Sequence, residues 1–237
     1  ILEQFPATPR FSVCHGLAVE NFDVKKGAYD AAYRTYPATA YLYSKHETEA
    51  YRRNYGLKDC ELKVVGVPRH ERAWIETVLH HTRSDVPATW DKYLFVISRP
   101  AIDGFFPREK KRKALQDIQR LTRELNAKAV VRLHPTERAR PDGLYEEVFG
   151  RASYGKEWVY SSSHPFVIGE RSLFAVSFYS GVAIDMLALG VPTIQMVDFT
   201  SRGATDTIMR YKEKGLVLGA DGYEELKHEA LRIMHQK

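Results

Sequence analysis

The stretch that decides the fold runs Leu173-Phe174-Ala175-Val176-Ser177-Phe178-Tyr179-Ser180-Gly181-Val182-Ala183-Ile184-Asp185-Met186-Leu187-Ala188-Leu189-Gly190. Its first six residues form a short apolar run, which predicts a buried strand. Val182 to Leu189 follows as a helix, closed by Gly190. Only Tyr179-Ser180-Gly181 separates the two. A strand that feeds so directly into a helix is half of a βαβ unit.

The same grammar repeats outward from this stretch. Tyr93-Leu94-Phe95-Val96-Ile97, Ala129-Val130-Val131-Arg132-Leu133, Trp158-Val159-Tyr160 and Pro192 to Val197 read as strands, and Gly215 to Leu218 as a last one. Pro107 to Leu125 reads as an amphipathic helix with Leu115, Ile118, Leu121 and Leu125 on one face. Asp221 reads as the cap of a final helix carrying Leu226, Ala230 and Ile233. Toward the N-terminus, Phe11 to Cys14, Ala40 to Ser44 and Leu62 to Gly66 read as strands, with a helix from Lys45 to Tyr55. Strands apolar on both faces imply parallel sheets under helices. The expected organisation is an α/β chain. Residues 1–83 form the C-terminal part of an N-terminal Rossmann-like domain, and 84–91 a Pro-broken linker. Residues 92–237 form a second Rossmann-like domain, whose last helix packs back on the first. The portion before Pro68 is short for a full domain, which predicts an incomplete N-terminal one.

Composition narrows the function. The 237 residues are 44% hydrophobic and 27% charged, ordinary for a globular protein. No apolar run approaches the roughly 18 residues that would suggest a membrane span, and no signal-peptide pattern opens the chain. Two cysteines, Cys14 and Cys60, are too few for a disulfide framework and form no CxxC pair. A reducing cytoplasm fits, at the inner face of the plasma membrane if a lipid-linked acceptor is used. The net charge is +5, with basic residues gathered in Arg108-Glu109-Lys110-Lys111-Arg112-Lys113. The plainer reading of that run is a solvated helix start. The sharper one is peripheral contact with anionic lipid headgroups or an anionic acceptor. No motif supports nucleic acid as a partner. No HExxH or clustered His/Cys pattern suggests a metal, and no GxSxG elbow suggests a hydrolase.

Parallel sheets bind ligands at the carboxyl ends of their strands, so the residues just after each strand carry the functional weight. At Tyr179-Ser180-Gly181, backbone N–H groups and the helix dipole make an anion site. The alternative is a simple capped helix. Neither a Walker motif nor GxGxxG is present. Arg132-Leu133-His134-Pro135-Thr136-Glu137 ends another strand, and Pro135 holds His134 extended. Its imidazole can donate to a phosphate or protonate a leaving group; the alternative is a loop histidine bonded to backbone. Glu137 sits at the helix start that follows. Ser98-Arg99-Pro100 ends a third strand, where Arg99 could clamp a phosphate or lie on the surface. His15-Gly16 ends a strand in the first domain, and His15, or Glu20 beyond it, could act as general base on an acceptor hydroxyl. His164-Pro165 repeats the first His-Pro pair after the serine run Ser161 to Ser163, which reads as a flexible loop. The tandem His80-His81 reads as solvent-exposed.

In order, these motifs are His15-Gly16, Val65-Gly66-Val67-Pro68-Arg69, Arg132-Leu133-His134-Pro135, Phe178-Tyr179-Ser180-Gly181 with Asp185, and Leu189-Gly190-Val191-Pro192. The series resembles the GT-B glycosyltransferase-like enzymes that build bacterial surface polysaccharides. Its nearest groups are the CDP-glycerol glycerophosphotransferases and the capsule or lipopolysaccharide transferases that use CMP-linked Kdo or sialic acid. The resemblance implies that His134, Ser180 and Gly181 hold the donor phosphate; Ser98, Arg99, Arg132, Glu137, Tyr179 and Asp185, on or beside the same strand ends, complete the expected set that binds a nucleotide-sugar donor. It implies His15 on the acceptor side, facing a glycan or lipid-linked glycan, and no metal or other cofactor. Where the glycerophosphotransferases read Asp-Tyr-Ser-Ser, this chain has Phe178-Tyr179-Ser180-Gly181, which argues against CDP-glycerol and for a nucleotide-sugar donor, and the His134-Pro135 pair fits the CMP-linked transferases better. An enzyme of the UDP-GlcNAc 2-epimerase type shares the fold and a similar Ser-Gly turn, and stands as the alternative beside glycerophosphate transfer.

Overall fold

The computed structural model describes residues 11–13, 39–45, 48, 61–101, 106–196, 211–212 and 215–236. The chain divides into two compact units, residues 1–69 and 70–237. Each carries its own parallel sheet.

In the first unit, β1 (Phe11–Val13), β2 (Thr39–Leu42) and β3 (Glu61–Val64) form a three-stranded parallel sheet in the order β1-β2-β3. The Val65 N–H donates to the Leu42 carbonyl and extends that ladder one residue past β3. Cys14, Cys60, most of the helix expected from Lys45 to Tyr55, and both His15 and Glu20 lie outside the described residues.

The second unit is a doubly wound sheet. Its strands are β4 (Tyr93–Ile97), β5 (Lys128–Arg132), β6 (Trp158–Tyr160), β7 (Phe174–Ser177), β8 (Thr193–Met196) and β9 (Leu218–Ala220). They are all parallel, in the order β6-β5-β4-β7-β8-β9. Every residue of β4, β7 and β8 is buried, which is why these strands read as unbroken apolar runs rather than alternating ones. The order reverses between β4 and β7. That reversal is the topological switch point, where open α/β sheets leave a crevice at the strands' carboxyl ends.

Helices cover both faces. The expected amphipathic helix is α2 (Arg108–Glu124), with Ala114, Leu115, Ile118 and Leu121 in the core on one side of the sheet. On the other side, α1 (Arg72–His81) buries Ile75 and Val78 with Val86, Trp90, Tyr93 and Phe166. His80 and His81 are exposed. The segment 82–91 contributes Val86 and Trp90 to the second unit's core.

Three short or medium helices follow strands: α3 (Pro135–Ala139), α4 (Pro165–Glu170) and α5 (Val182–Leu189). The last of them ends on Gly190 in the left-handed conformation, with φ 79°, as the sequence predicts. Helices α4 and α5 approach closely at Gly169, where an added Cβ would stand 2.4 Å from Met186 Sδ. The final helix, α6 (Tyr223–His235), packs Leu226, Ala230 and Ile233 into the core of its own unit. Lys227 of α6 also pairs with Glu124 of α2 at 2.6 Å.

Two local expectations shift. The last strand is 218–220 rather than 215–218, because the chain turns at Gly215 with φ 68° before it pairs with β8. Asp221 does not cap α6: Gly222 occupies the N-cap position, and the Asp221 N–H instead donates to Glu225 Oε2 at 2.9 Å. Among the described residues, no helix is long and apolar enough to cross a membrane.

Candidate functional site

Three turns meet at the switch point, following the adjacent strands β5, β4 and β7. Sheet pairing continues one residue beyond β4 on the β5 side and one residue beyond β7 on the other. The Ser98 N–H donates to the Arg132 carbonyl at 3.0 Å, and the Phe178 N–H to the Ile97 carbonyl at 3.3 Å.

The β7 turn is shaped by Tyr179. Its φ is 50°, a left-handed conformation uncommon outside glycine. The turn swings a buried strand into α5 within four residues, Phe178 to Gly181. Arg99, from the β4 turn, donates through Nη1 to the Tyr179 carbonyl and holds the strained residue from the other side of the crevice. Burial pulls the Arg99 pKa below its ordinary value. Ser180 takes the Val182 N–H on its Oγ at 3.3 Å and so helps start α5. Ser180 and Gly181 stay partly exposed, and a Cβ on Gly181 would meet nothing within 4 Å. The Val182, Ala183 and Ile184 N–H groups bond within the turn, to Ser180 Oγ and to the Ser180 and Gly181 carbonyls, while the space beside the Gly181 Cα is open.

The β5 turn is organised around His134. Its Nδ1 accepts the Thr136 N–H at 3.3 Å and lies 2.7 Å from Thr136 Oγ, while Pro135 starts the helix. An accepting Nδ1 carries no proton, so the ring's proton sits on Nε2, the nitrogen directed away from the cap. Glu137 closes the cap: its Oε2 accepts the His134 N–H at 2.9 Å. The other carboxylate oxygen accepts from Ser98 Oγ at 2.8 Å and from Lys111 Nζ. Ser98 Oγ in turn accepts from the buried Tyr145 hydroxyl. Burial raises the Tyr145 pKa well above its ordinary value, so that hydroxyl keeps its proton and stays a donor.

The candidate residues therefore sort into groups. Ser98, Arg99, Tyr179, Ser180 and Gly181 lie on the turns after β4 and β7, Ser98 and Tyr179 buried, and His134 stands exposed on the neighbouring turn. Glu137 is buried beneath that turn. Arg132 turns away from the crevice, and its Nη1 donates to the carbonyls of Ser162 and Ser163. Asp185, in the first turn of α5, is 7% exposed and accepts from His70 Nε2 at 2.6 Å.

Four partners escaped the sequence reading. No spacing rule joins His70 to Asp185 across 115 positions. Lys111 lay inside a basic run read as a solvated helix start or a lipid-facing patch, yet it is fully buried. Arg108 and Arg112 of the same run pair with Glu147 at 3.0 and 2.8 Å. The run is thus largely tied into the fold, and Lys113 is its exposed cation. The third partner is Tyr145, for which no sequence signal existed. The fourth is Asp85, from the expected linker, which gathers the serine run: it accepts from Ser161 Oγ, Ser162 N and Oγ, and Ser163 Oγ. Partial burial works to raise the Asp85 pKa, but these hydrogen bonds outweigh it and lower it to about 2. The serine loop is consequently latched at both ends. A cavity of about 390 Å³ opens beside it, lined by Asp85, Leu133, Arg138, Tyr160, Ser161 and Ser162. Among the described residues, no group of three His, Cys, Asp or Glu side chains could hold a metal ion.

No protein-family model matches the sequence, and no curated protein matches it. Solved structures do. The wall teichoic acid polymerase TagF aligns with a TM-score of 0.55 at 16% identity, over 84% of this chain and 50% of that one. A complex of Staphylococcus aureus MnaA with UDP aligns with a TM-score of 0.54 at 13% identity, over 83% of this chain and 50% of that one. The Methanocaldococcus jannaschii UDP-GlcNAc 2-epimerase, in complex with UDP-GlcNAc and UDP, aligns with a TM-score of 0.50 at 16% identity, over 83% of this chain and 54% of that one. At such identities the likeness establishes the fold, an α/β GT-B-like architecture of Rossmann-like sheets. The chain spans about half the length of these structures.

Proposed function

We propose that this protein binds a nucleotide-activated donor at the switch-point crevice and transfers the activated group to a hydroxyl. The observation that carries the reading is the pairing of Arg99 with the left-handed Tyr179 turn, beside the open space at Gly181. A cation, a serine hydroxyl and a helix N-terminus converge there from two strands. In this reading Arg99, Ser180, Gly181 and the Nε2–H of His134 receive the donor phosphate. The 390 Å³ cavity beside the serine loop takes the nucleoside. During transfer the acceptor oxygen forms a bond to the sugar's anomeric carbon, and the bond from that carbon to the phosphate oxygen breaks. The leaving nucleotide's charge is then stabilised by donors already in place, the term that usually dominates such catalysis. The acceptor's proton goes to a general base, for which His15 or Glu20 is proposed.

The finer reading is a metal-independent glycosyltransferase with a CMP-linked donor of the Kdo or sialic acid kind, acting on a bacterial capsule or lipopolysaccharide glycan. It rests on the His134-Pro135 and Phe178-to-Gly181 motifs. The UDP in two of the similar structures supports a UDP-sugar enzyme as the second reading, and TagF supports glycerophosphate transfer. Contact with an anionic membrane would fall to exposed cations such as Lys113. One experiment separates the donors: thermal shift with CMP, CDP, UDP and GDP. A true ligand at about 100 times its Kd adds roughly 2.7 kcal/mol of stability. Stabilisation by CMP alone supports the CMP reading, and stabilisation by UDP alone the second. No shift with any of the four removes the proposal.

A further inference from the structure

We infer that Glu137 is a positioning residue for the donor-phosphate turns, with Lys111 as its buried counter-charge and Tyr145 as the orienter of Ser98. The inference rests on the donor-phosphate reading above and changes what Glu137 does within it. Glu137 does not touch the donor but aligns the groups that do.

Burial and charge make the case first. Glu137 is 7% exposed and Lys111 fully buried. A carboxylate directed at the crevice would repel a phosphate. Here its charge is taken up by an ammonium from α2, whose Nζ also lies 4.9 Å from the Tyr145 ring centroid. Geometry makes the case second. One oxygen of Glu137 holds Ser98, of the β4 turn, and the other holds the His134 backbone, of the β5 turn. Two strands' ends are thereby fixed to one rigid group. Without that group, α3 has five residues and little means of ordering itself.

Energetics make the case third. An apolar pair of similar volume is often as stable as a buried ion pair, or more so. An arrangement that satisfies both carboxylate oxygens and a buried ammonium is therefore poorly explained by stability alone. It is well explained by the need to hold binding groups to within about 0.5 Å.

The test uses the whole chain and three variants: K111M/E137Q, K111M/E137L and Y145F. Both double variants remove the two charges together, so neither leaves a stranded ion. The amide introduced by E137Q keeps a carbonyl for the His134 N–H, whereas the aliphatic side chain introduced by E137L offers none. Affinity is measured by calorimetry with whichever of CMP, CDP or UDP the wild type binds. The His134 imidazole ¹⁵N shifts are recorded without ligand. K111M/E137Q is expected to bind within about threefold of wild type. K111M/E137L is expected to stay folded, lose about tenfold or more in affinity, and lose the single Nε2–H tautomer signature. A folded K111M/E137L that binds within about twofold and keeps that signature overturns the inference. If K111M/E137L does not fold, Y145F decides. It is isosteric and buried away from ligand, and a loss of about threefold is expected; wild-type affinity overturns the inference. If the wild type binds no nucleotide, the functional reading fails by itself. The ligand-free ¹⁵N signature then still judges the hub: an unchanged signature in K111M/E137L overturns it, and a mixed one supports it.

Discussion

His134-Pro135 and His164-Pro165 are the same dipeptide placed after neighbouring strands, and their backbones agree closely. His134 has φ −62° and ψ 148°, and His164 has φ −58° and ψ 141°. In both, the imidazole accepts the N–H two residues on, from Thr136 in one and Phe166 in the other. Their surroundings differ. Pro165 to Gly169 is buried throughout, and His164 lies against the Phe166 ring at 4.9 Å. His134, Pro135 and Thr136 are exposed, and Glu137 alone of that turn is buried. One turn is part of the core. The other is presented outward and anchored from below. The dipeptide specifies a cap, while the residues after it decide whether the cap is packed into the core or presented outward.

The largest expected difference between the turns lies in the residue that follows each proline. Phe166→Ala should cost about 3–5 kcal/mol, because it empties a core site. Thr136→Ala, at the matching position, should cost less than about 1 kcal/mol. Urea denaturation measures both, and equal losses would dissolve the contrast.

The histidines themselves come next. Removing either cap should cost on the order of 1 kcal/mol of stability. Nucleotide affinity should separate them: His134→Ala is expected to weaken binding about tenfold, equal to roughly 1.4 kcal/mol, while His164→Ala leaves it unchanged. Calorimetry of the two variants side by side makes the test, and a wild-type affinity for His134→Ala would end the assignment of that turn to the donor.

The smallest effect belongs to Asp85, which latches the serine loop leading into His164. Its folded pKa of about 2 lies below the ordinary 3.8. A depressed carboxylate stabilises the fold above its unfolded pKa and loses that contribution as pH falls through the folded value. Wild type should therefore exceed Asp85→Asn in stability at neutral pH by under about 1 kcal/mol, since Asp85 is substantially exposed and screened. The difference should fade between about pH 4 and pH 2. A gap that persists unchanged at pH 2 would show that the carboxylate's charge is not what holds the loop.

The contrast between the turns also shows what a sequence discloses. The strands and α5 were legible because burial on both faces writes an unbroken apolar run, and because a left-handed helix end asks for a glycine such as Gly190. The place of the turns after β4, β5 and β7 at the sheet's switch point followed from that topology. What stayed hidden was pairing at a distance. Nothing local tells a buried Lys111 from its exposed neighbour Lys113, since the group that neutralises it, Glu137, lies 26 positions away. The serine run looked like loose loop because its acceptor, Asp85, is 76 to 78 positions off. Tyr179 gave no sign of its left-handed backbone, which a glycine would have announced.

The meeting of Gly169 and Met186 bears on how this sequence can change over time. A methyl at 169 would fall 2.4 Å from the Met186 sulfur and 3.1 Å from Leu189 Cδ2. A larger residue at 169 requires the Met186 side chain to shift or shrink, whereas shrinking 186 first leaves a void that a larger 169 can fill later. The two positions share a history with a direction. Homologous chains should exchange bulk between them, small with large.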